Sequence, residues 1–219
     1  MRADSVEQLH DVRIPLRNEP VQARSTARLA TLLDAGAAIV DEIGYERLTT
    51  AMVAERAGAS IGTVYRYFPD RIALLQALGS RNLERVLTRS ADEVLEPRHE
   101  NWFAALSAAL DVVVAAFRDE PGFRSLRVGD VIDLRPAPTD RTFKSILADR
   151  ILDNLLTRYG VADSARLRFL AESVIEVSDT FAARAFARDV NGDQSFLDTG
   201  SALVYSLLVE HFGEVPHSF

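Results

Sequence analysis

Two short helical segments separated by a glycine turn, at residues 49–57 and 61–68, constrain this chain more than any other feature. Thr49 or Thr50 starts a helix, since either hydroxyl can accept from an early backbone N–H. It runs to about Ala57 and buries Met52, Val53 and Ala57. Gly58 allows the sharp turn Ala57-Gly58-Ala59-Ser60, Ser60 caps a second helix of about Ile61 to Phe68, and Pro69 ends it. A helix of that length is not stable alone in water. It needs Val64 and Phe68 packed on neighbouring helices, so the segment predicts a bundle around itself.

The flanking sequence supplies those neighbours. From Ala23, residues Leu29, Leu32, Leu33, Gly36, Ala37, Val40 and Ile43 recur at spacings of three and four, and Gly44 follows as a helix stop. A fourth helix starts near Asp70, carries Ile72, Leu75, Leu78 and Val86, and reaches about Val94, ahead of Pro97. Trp102, Phe103, Leu106, Leu110, Val113, Val114 and Phe117 form the next stripe. Pro121-Gly122 interrupts, Phe123 to Val131 reads as a short helix, and residues 133–139 read as a loop. Three more helices are expected at about 140–159, 163–188 and 194–212, with breaks at Gly160 and Asn191-Gly192. No segment alternates as a strand. The expected fold is all-α with about nine helices: a flexible arm over 1–22, a three-helix head over 23–72 and a helical body over 73–219. In the arm, Arg2, Arg13 and Arg17 suit a minor groove, but Asp4, Glu7, Asp11 and Glu19 leave it net acidic, and a floppy tail is the favoured reading.

Composition removes several function classes. There is no cysteine, so disulfides, thiolate catalysis and cysteine-zinc sites are excluded. His10, His99, His211 and His217 show no metal-ligand spacing, and no metal or cofactor is expected. The glycines of Gly58 to Thr63 lack the lysine of a phosphate loop and lie between helices, so an enzyme is not expected. No run of about 18 apolar residues predicts a membrane span, and the N-terminus lacks a secretion-type apolar core, which reads as cytoplasmic. The net charge of −7 argues against nucleic acid only until it is mapped. Residues 1–80 hold nine Arg against ten Asp/Glu, whereas residues 81–219 hold 16 Lys/Arg against 22 Asp/Glu. The acidity sits in the body, and the head is close to neutral.

The head has the layout of a helix-turn-helix, in which the second helix enters the major groove. With Val64 and Phe68 facing inward, Ile61, Gly62, Thr63, Tyr65, Arg66 and Tyr67 are expected to face outward or sideways. Gly62 costs roughly 1 kcal/mol against alanine inside a helix, and its missing side chain would let the helix approach DNA closely. These residues resemble a known family. Gly44-Tyr45, Thr49-Thr50, Ala54-Glu55-Arg56-Ala57-Gly58 and Ser60-Ile61-Gly62-Thr63-Val64-Tyr65-Arg66-Tyr67-Phe68 are similar to the DNA-binding domain of the TetR (tetracycline-repressor-like) transcription regulators of bacteria. The resemblance covers about residues 24–72. It implies that Thr50 and Tyr67 contact phosphate, that Ile61, Thr63 and Tyr65 approach base edges, and that Arg71 stands where relatives place a phosphate-binding lysine. Thr49, Ser60, Gly62 and Arg66 complete the expected DNA-binding set. Ile61 departs from the polar or basic residue common in relatives. It can make only apolar contact, for instance with a thymine methyl, which shifts weight towards backbone contacts and DNA shape.

For the body, the resemblance implies a pocket for an unidentified small molecule and dimerisation through the last two helices. Trp102, Phe103 and Phe117 are candidates for the pocket wall, with Arg124, Arg127 and Asp130 as sources of polarity. The last two helices carry apolar stripes from Leu167 to Ala185 and from Phe196 to Leu208, in which Ala171, Ala182, Ala185 and Gly200 permit close approach. A two-fold protein implies a palindromic operator on double-stranded DNA. Ligand would move the fourth helix and spread the two heads, releasing a homodimeric repressor.

Overall fold

Capping residues and glycine breaks set the helix ends in the structure, a computed structural model that describes residues 23–128 and 143–213. The expected arm, the loop at 133–139 and Asp130 lie outside the described residues. Among those described there are nine α-helices and no strand: α1 (Ala23–Ile43), α2 (Thr50–Arg56), α3 (Ile61–Tyr67), α4 (Arg71–Leu95), α5 (Trp102–Asp119), α6 (Phe123–Val128), α7 (Phe143–Tyr159), α8 (Ala165–Arg188) and α9 (Gln194–Phe212). A 3-10 turn, Tyr45–Arg47, lies between α1 and α2. Side-chain caps fix many of the starts. Thr49 accepts from the Met52 N–H at 3.2 Å, Ser60 from Thr63, Asp70 from Ala73, Asn101 from Ala104 and Ser164 from Leu167. Each satisfies one N–H that the helix itself leaves unpaired.

The chain gathers into two compact units, and the division falls inside α4, between Asn82 and Leu83. The N-terminal unit holds α1 to α3, the first half of α4, and the segment after Pro121 that carries α6. Leu32, Ile39, Val40, Leu48, Val53, Val64, Phe68, Leu74 and Leu78 form its buried centre, joined by Leu126 of α6. Polar ties hold its edges. The Arg81 guanidinium donates to Asp34 at 2.6 Å, and the Asn82 amide donates to the Pro121 carbonyl at 3.1 Å.

The C-terminal unit is built from the rest of α4, α5 and α7 to α9. The Ser90 hydroxyl donates to the Ala109 carbonyl, and the Asn154 amide to that of Ala91, tying α4 to α5 and α7. Phe117 and Phe186 stack with ring centroids 5.0 Å apart, joining α5 to α8. Lys144, the chain's lone lysine, bonds Glu176 and lies 3.2 Å from the buried Asp179, joining α7 to α8. Burial alone would lower its affinity for a proton, but the two carboxylates outweigh burial and hold the ammonium above its ordinary range.

Helices α8 and α9 pack tightly at Gly200. A Cβ at this position would stand 2.7 Å from the Phe181 Cβ, closer than atoms tolerate. Gly200 therefore serves contact within one chain, and most of the α8 stripe read from the sequence, including Leu167, Leu170, Val174, Ala182 and Ala185, is buried within the chain as well. Gly200→Ala is expected to force the two helices apart and cost about 1–3 kcal/mol, as overpacking does. Chemical denaturation of the variant against the parent measures it.

Candidate nucleic-acid interface

The head is assembled from two capped helices and one left-handed residue. Gly58 sits at φ +57°, which side-chain-bearing residues rarely adopt, and its N–H returns to the Glu55 carbonyl at 3.1 Å. The Ala59 N–H bonds the Ala54 carbonyl at 2.9 Å, so the turn satisfies its own backbone. After α3 the chain becomes extended at Phe68, the conformation favoured before Pro69. Phe68 is fully buried and anchors the end of α3. Beside α2, Arg56 forms a two-pronged bond to Glu42 at 2.8 and 2.6 Å. That hydrogen bond holds the Glu42 carboxyl below its usual range.

The outer face of α3 is formed by Ile61, Gly62, Tyr65 and Arg66, all exposed, with Thr63 half-buried beside them. Thr50, at the start of α2, donates from its hydroxyl to that of Tyr65 at 3.3 Å, so the two helices meet on this face. The Ser60 and Thr63 hydroxyls lie 2.9 Å apart. Thr49 and Ser60 cap their helices as expected, with Thr49, of the two threonines, making the cap bond.

Tyr67 differs from the outward orientation read from the sequence. It is 4% exposed and belongs to the buried centre of the N-terminal unit. At three residues from Val64 it shares the inner face of α3, and its ring is worth more in the core than in water. Its hydroxyl stays paired: it lies 2.9 Å from the Ser25 hydroxyl and donates to the Ser25 carbonyl at 3.3 Å. The Arg66 guanidinium carbon stands 5.5 Å from the Tyr67 ring centre. Arg71 also turns onto the protein, donating to the carbonyls of Glu46 at 2.7 Å and Tyr45 at 3.4 Å, which ties the 3-10 turn to the start of α4. Sequence reasoning missed Ser25. Its partner lies 42 residues away, and no local signal announces the pair.

The C-terminal unit contains a cavity that opens to solvent. Its lining is aliphatic and aromatic: Ile151, Leu152 and Leu155 of α7, Leu170 and Val174 of α8, Leu208 and Phe212 of α9, and others of the same kind. Of the five described residues expected to line a pocket, Trp102 does so, with its ring 4.6 Å from that of Phe212. Phe103 is buried beside Tyr205, Phe117 lies on Phe186, and Arg124 and Arg127 belong to α6 of the N-terminal unit.

Known proteins match both units. Residues 32–78 match the family described as bacterial regulatory proteins, tetR family, and residues 100–212 match the tetracyclin repressor-like C-terminal domain. A TetR-family transcriptional regulator from Streptomyces coelicolor is 31% identical, with 84% of this chain and 98% of that one covered at a TM-score of 0.67. A TetR-family regulator from Pectobacterium atrosepticum, at 19% identity, shares the fold over 87% of this chain and 97% of its own, also at TM-score 0.67. The HTH-type transcriptional repressor KstR of Rhodococcus jostii is 33% identical over 94 residues, 43% of this chain. The chain spans only 42% of that repressor's length. Among the described residues no helix is long and apolar enough to cross a membrane.

The burial of Tyr67 sets the terms on which it is tested. Tyr67→Ala is expected to open a cavity and destabilise the unit by roughly 3–5 kcal/mol. Tyr67→Phe removes only the bonds to Ser25 and should cost about 1 kcal/mol. Urea unfolding of both variants separates the two contributions.

Proposed function

The chain belongs to the tetR family of bacterial regulatory proteins, and on that premise we propose that it is a homodimeric repressor, released from a palindromic operator by a small apolar molecule. That it is a DNA-binding transcription regulator follows from the family. The observation that carries the finer reading is the exposed face of α3, presented on a frame anchored by the buried Val64 and Phe68 and capped at Thr49 and Ser60.

In this reading α3 enters the major groove, with Ile61, Thr63 and Tyr65 towards base edges and Arg66 beside them. Thr50, Tyr67 and Arg71 hold phosphates, and the caps Thr49 and Ser60 aim the helix starts. Tyr67 reaches a phosphate through its hydroxyl alone, since its ring is buried. Gly62 supports close approach of DNA. A Cβ there would meet nothing nearer than the Ser60 hydroxyl at 3.9 Å, so the protein itself has room for a side chain. The glycine therefore lowers helix stability with no gain inside the fold, which fits a partner that comes close.

Dimerisation is supported by what α8 and α9 leave uncovered. Phe169 is 72% and Leu203 43% exposed. Ser195, Thr199, Ala202 and Ser206 share the outer face of α9 with Leu203, small residues that suit close contact between helices. The cavity supports an effector with little polarity, because its walls offer almost nothing to pair with a charge. Helix α4 runs through both units, so a displacement in its second half is covalently passed to its first.

Selection of bound duplexes from random DNA tests the proposal. A two-fold symmetric site is expected, with a dimer mass in sedimentation at micromolar concentration. A monomer, or an asymmetric site, would count against it. Gly62→Ala should raise stability by about 0.5–1 kcal/mol yet weaken operator binding at least tenfold, measured by thermal unfolding and DNA titration. Arg71→Ala should lower the dependence of affinity on salt by about one phosphate contact per subunit.

A further inference from the structure

We propose that Ile61, backed by Tyr65, reads the 5-methyl group of a thymine, so that each operator half-site carries a thymine whose methyl seats on Ile61. This rests on the reading of α3 as the helix that enters the groove. Ile61 is 44% and Tyr65 42% exposed. Every other exposed large hydrophobic of the described residues lies in the C-terminal unit. The two are four residues apart and therefore share one face of α3, one turn above the other.

The hydroxyls flanking Ile61 are paired with one another or with the backbone. The Ser60 hydroxyl accepts from the Thr63 N–H at 3.1 Å and lies 2.9 Å from the Thr63 hydroxyl. The Thr50 hydroxyl donates to that of Tyr65 at 3.3 Å, drawing the phenol oxygen towards α2, while the residue shares the α3 face with Ile61. A side chain that hydrogen-bonds a base edge needs donors or acceptors free to meet it, and Ile61 has none. Gly62 adds no bulk beside Ile61, and a Cβ there would meet only the Ser60 hydroxyl, at 3.9 Å. Among base edges in the major groove, the apolar feature is the methyl at C5 of thymine. Methylated cytosine presents the same group, and the test separates the two.

The test uses the full chain and its selected operator. Each thymine in turn is replaced by deoxyuridine, which removes the methyl and keeps the pairing. At one position in each half-site the parent protein should lose about fourfold in affinity, the effect of one buried methyl. Ile61→Ala should bind the thymine and uracil duplexes equally while keeping its salt dependence, and Ile61→Val should still discriminate. Ile61 is exposed, so both variants should melt with the parent. Equal binding of thymine and uracil duplexes by the parent at every position would overturn the proposal, as would undiminished discrimination by Ile61→Ala. A methyl effect confined to duplexes carrying 5-methylcytosine would overturn thymine as the source. If no DNA is selected at all, the reading of α3 itself falls, and this inference with it.

Discussion

A seven-residue helix has no independent stability in water, and α3 persists because one of its faces is locked into a core. Val64 and Phe68 are fully buried and Tyr67 nearly so, against side chains of α1 and α4. Everything on the outer face depends on that anchoring. Ile61, Thr63, Tyr65 and Arg66 have defined positions only because the inner face cannot rotate. The caps at Thr49 and Ser60 then fix where α2 and α3 begin, and Gly58 fixes the angle between them. The head is thus rigid at its centre and chemically open on one side.

The C-terminal unit solves a different problem. Its helices are long enough to bury broad stripes, and its polar contacts lie mostly at joints between helices. Arg158 illustrates this, donating to the carbonyl of Val94 in the last turn of α4 and to those of Glu96 and His99 just beyond it. Lys144 plays a similar part between α7 and α8. With these charges occupied, the cavity between α5, α7, α8 and α9 keeps an almost purely apolar wall. Such a wall selects by shape and size more than by hydrogen bonding.

Much of this was legible in the sequence. Helical periodicity, glycines and prolines mark every described helix to within a few residues, because these signals act locally. The caps of α2 and α3 were legible for the same reason, apart from the choice between Thr49 and Thr50. Tyr67 was harder. A tyrosine three residues from Val64 can lie inside or outside; what decides is the core its ring joins, and its hydroxyl is paired there by Ser25, distant in sequence but close in space. Arg71 reads as a free cation until the carbonyls of Tyr45 and Glu46 are placed beside it. The cavity was legible only at Trp102. Its walls are mostly leucines and isoleucines whose spacing is indistinguishable from that of a filled core.

The resting contacts of Tyr67 and Arg71 carry a thermodynamic consequence. In the free protein neither group waits unsatisfied: one holds Ser25, the other the carbonyls of the 3-10 turn. If phosphate takes either of them, the event is an exchange, in which a neutral oxygen is given up for a charged one. The gain is then the difference between two hydrogen bonds, not the whole of one. Because Arg71 also ties the 3-10 turn to α4, such an exchange would loosen the approach to α2 as it tightens the grip on DNA. Recognition and local order at the base of the head would then draw on the same guanidinium.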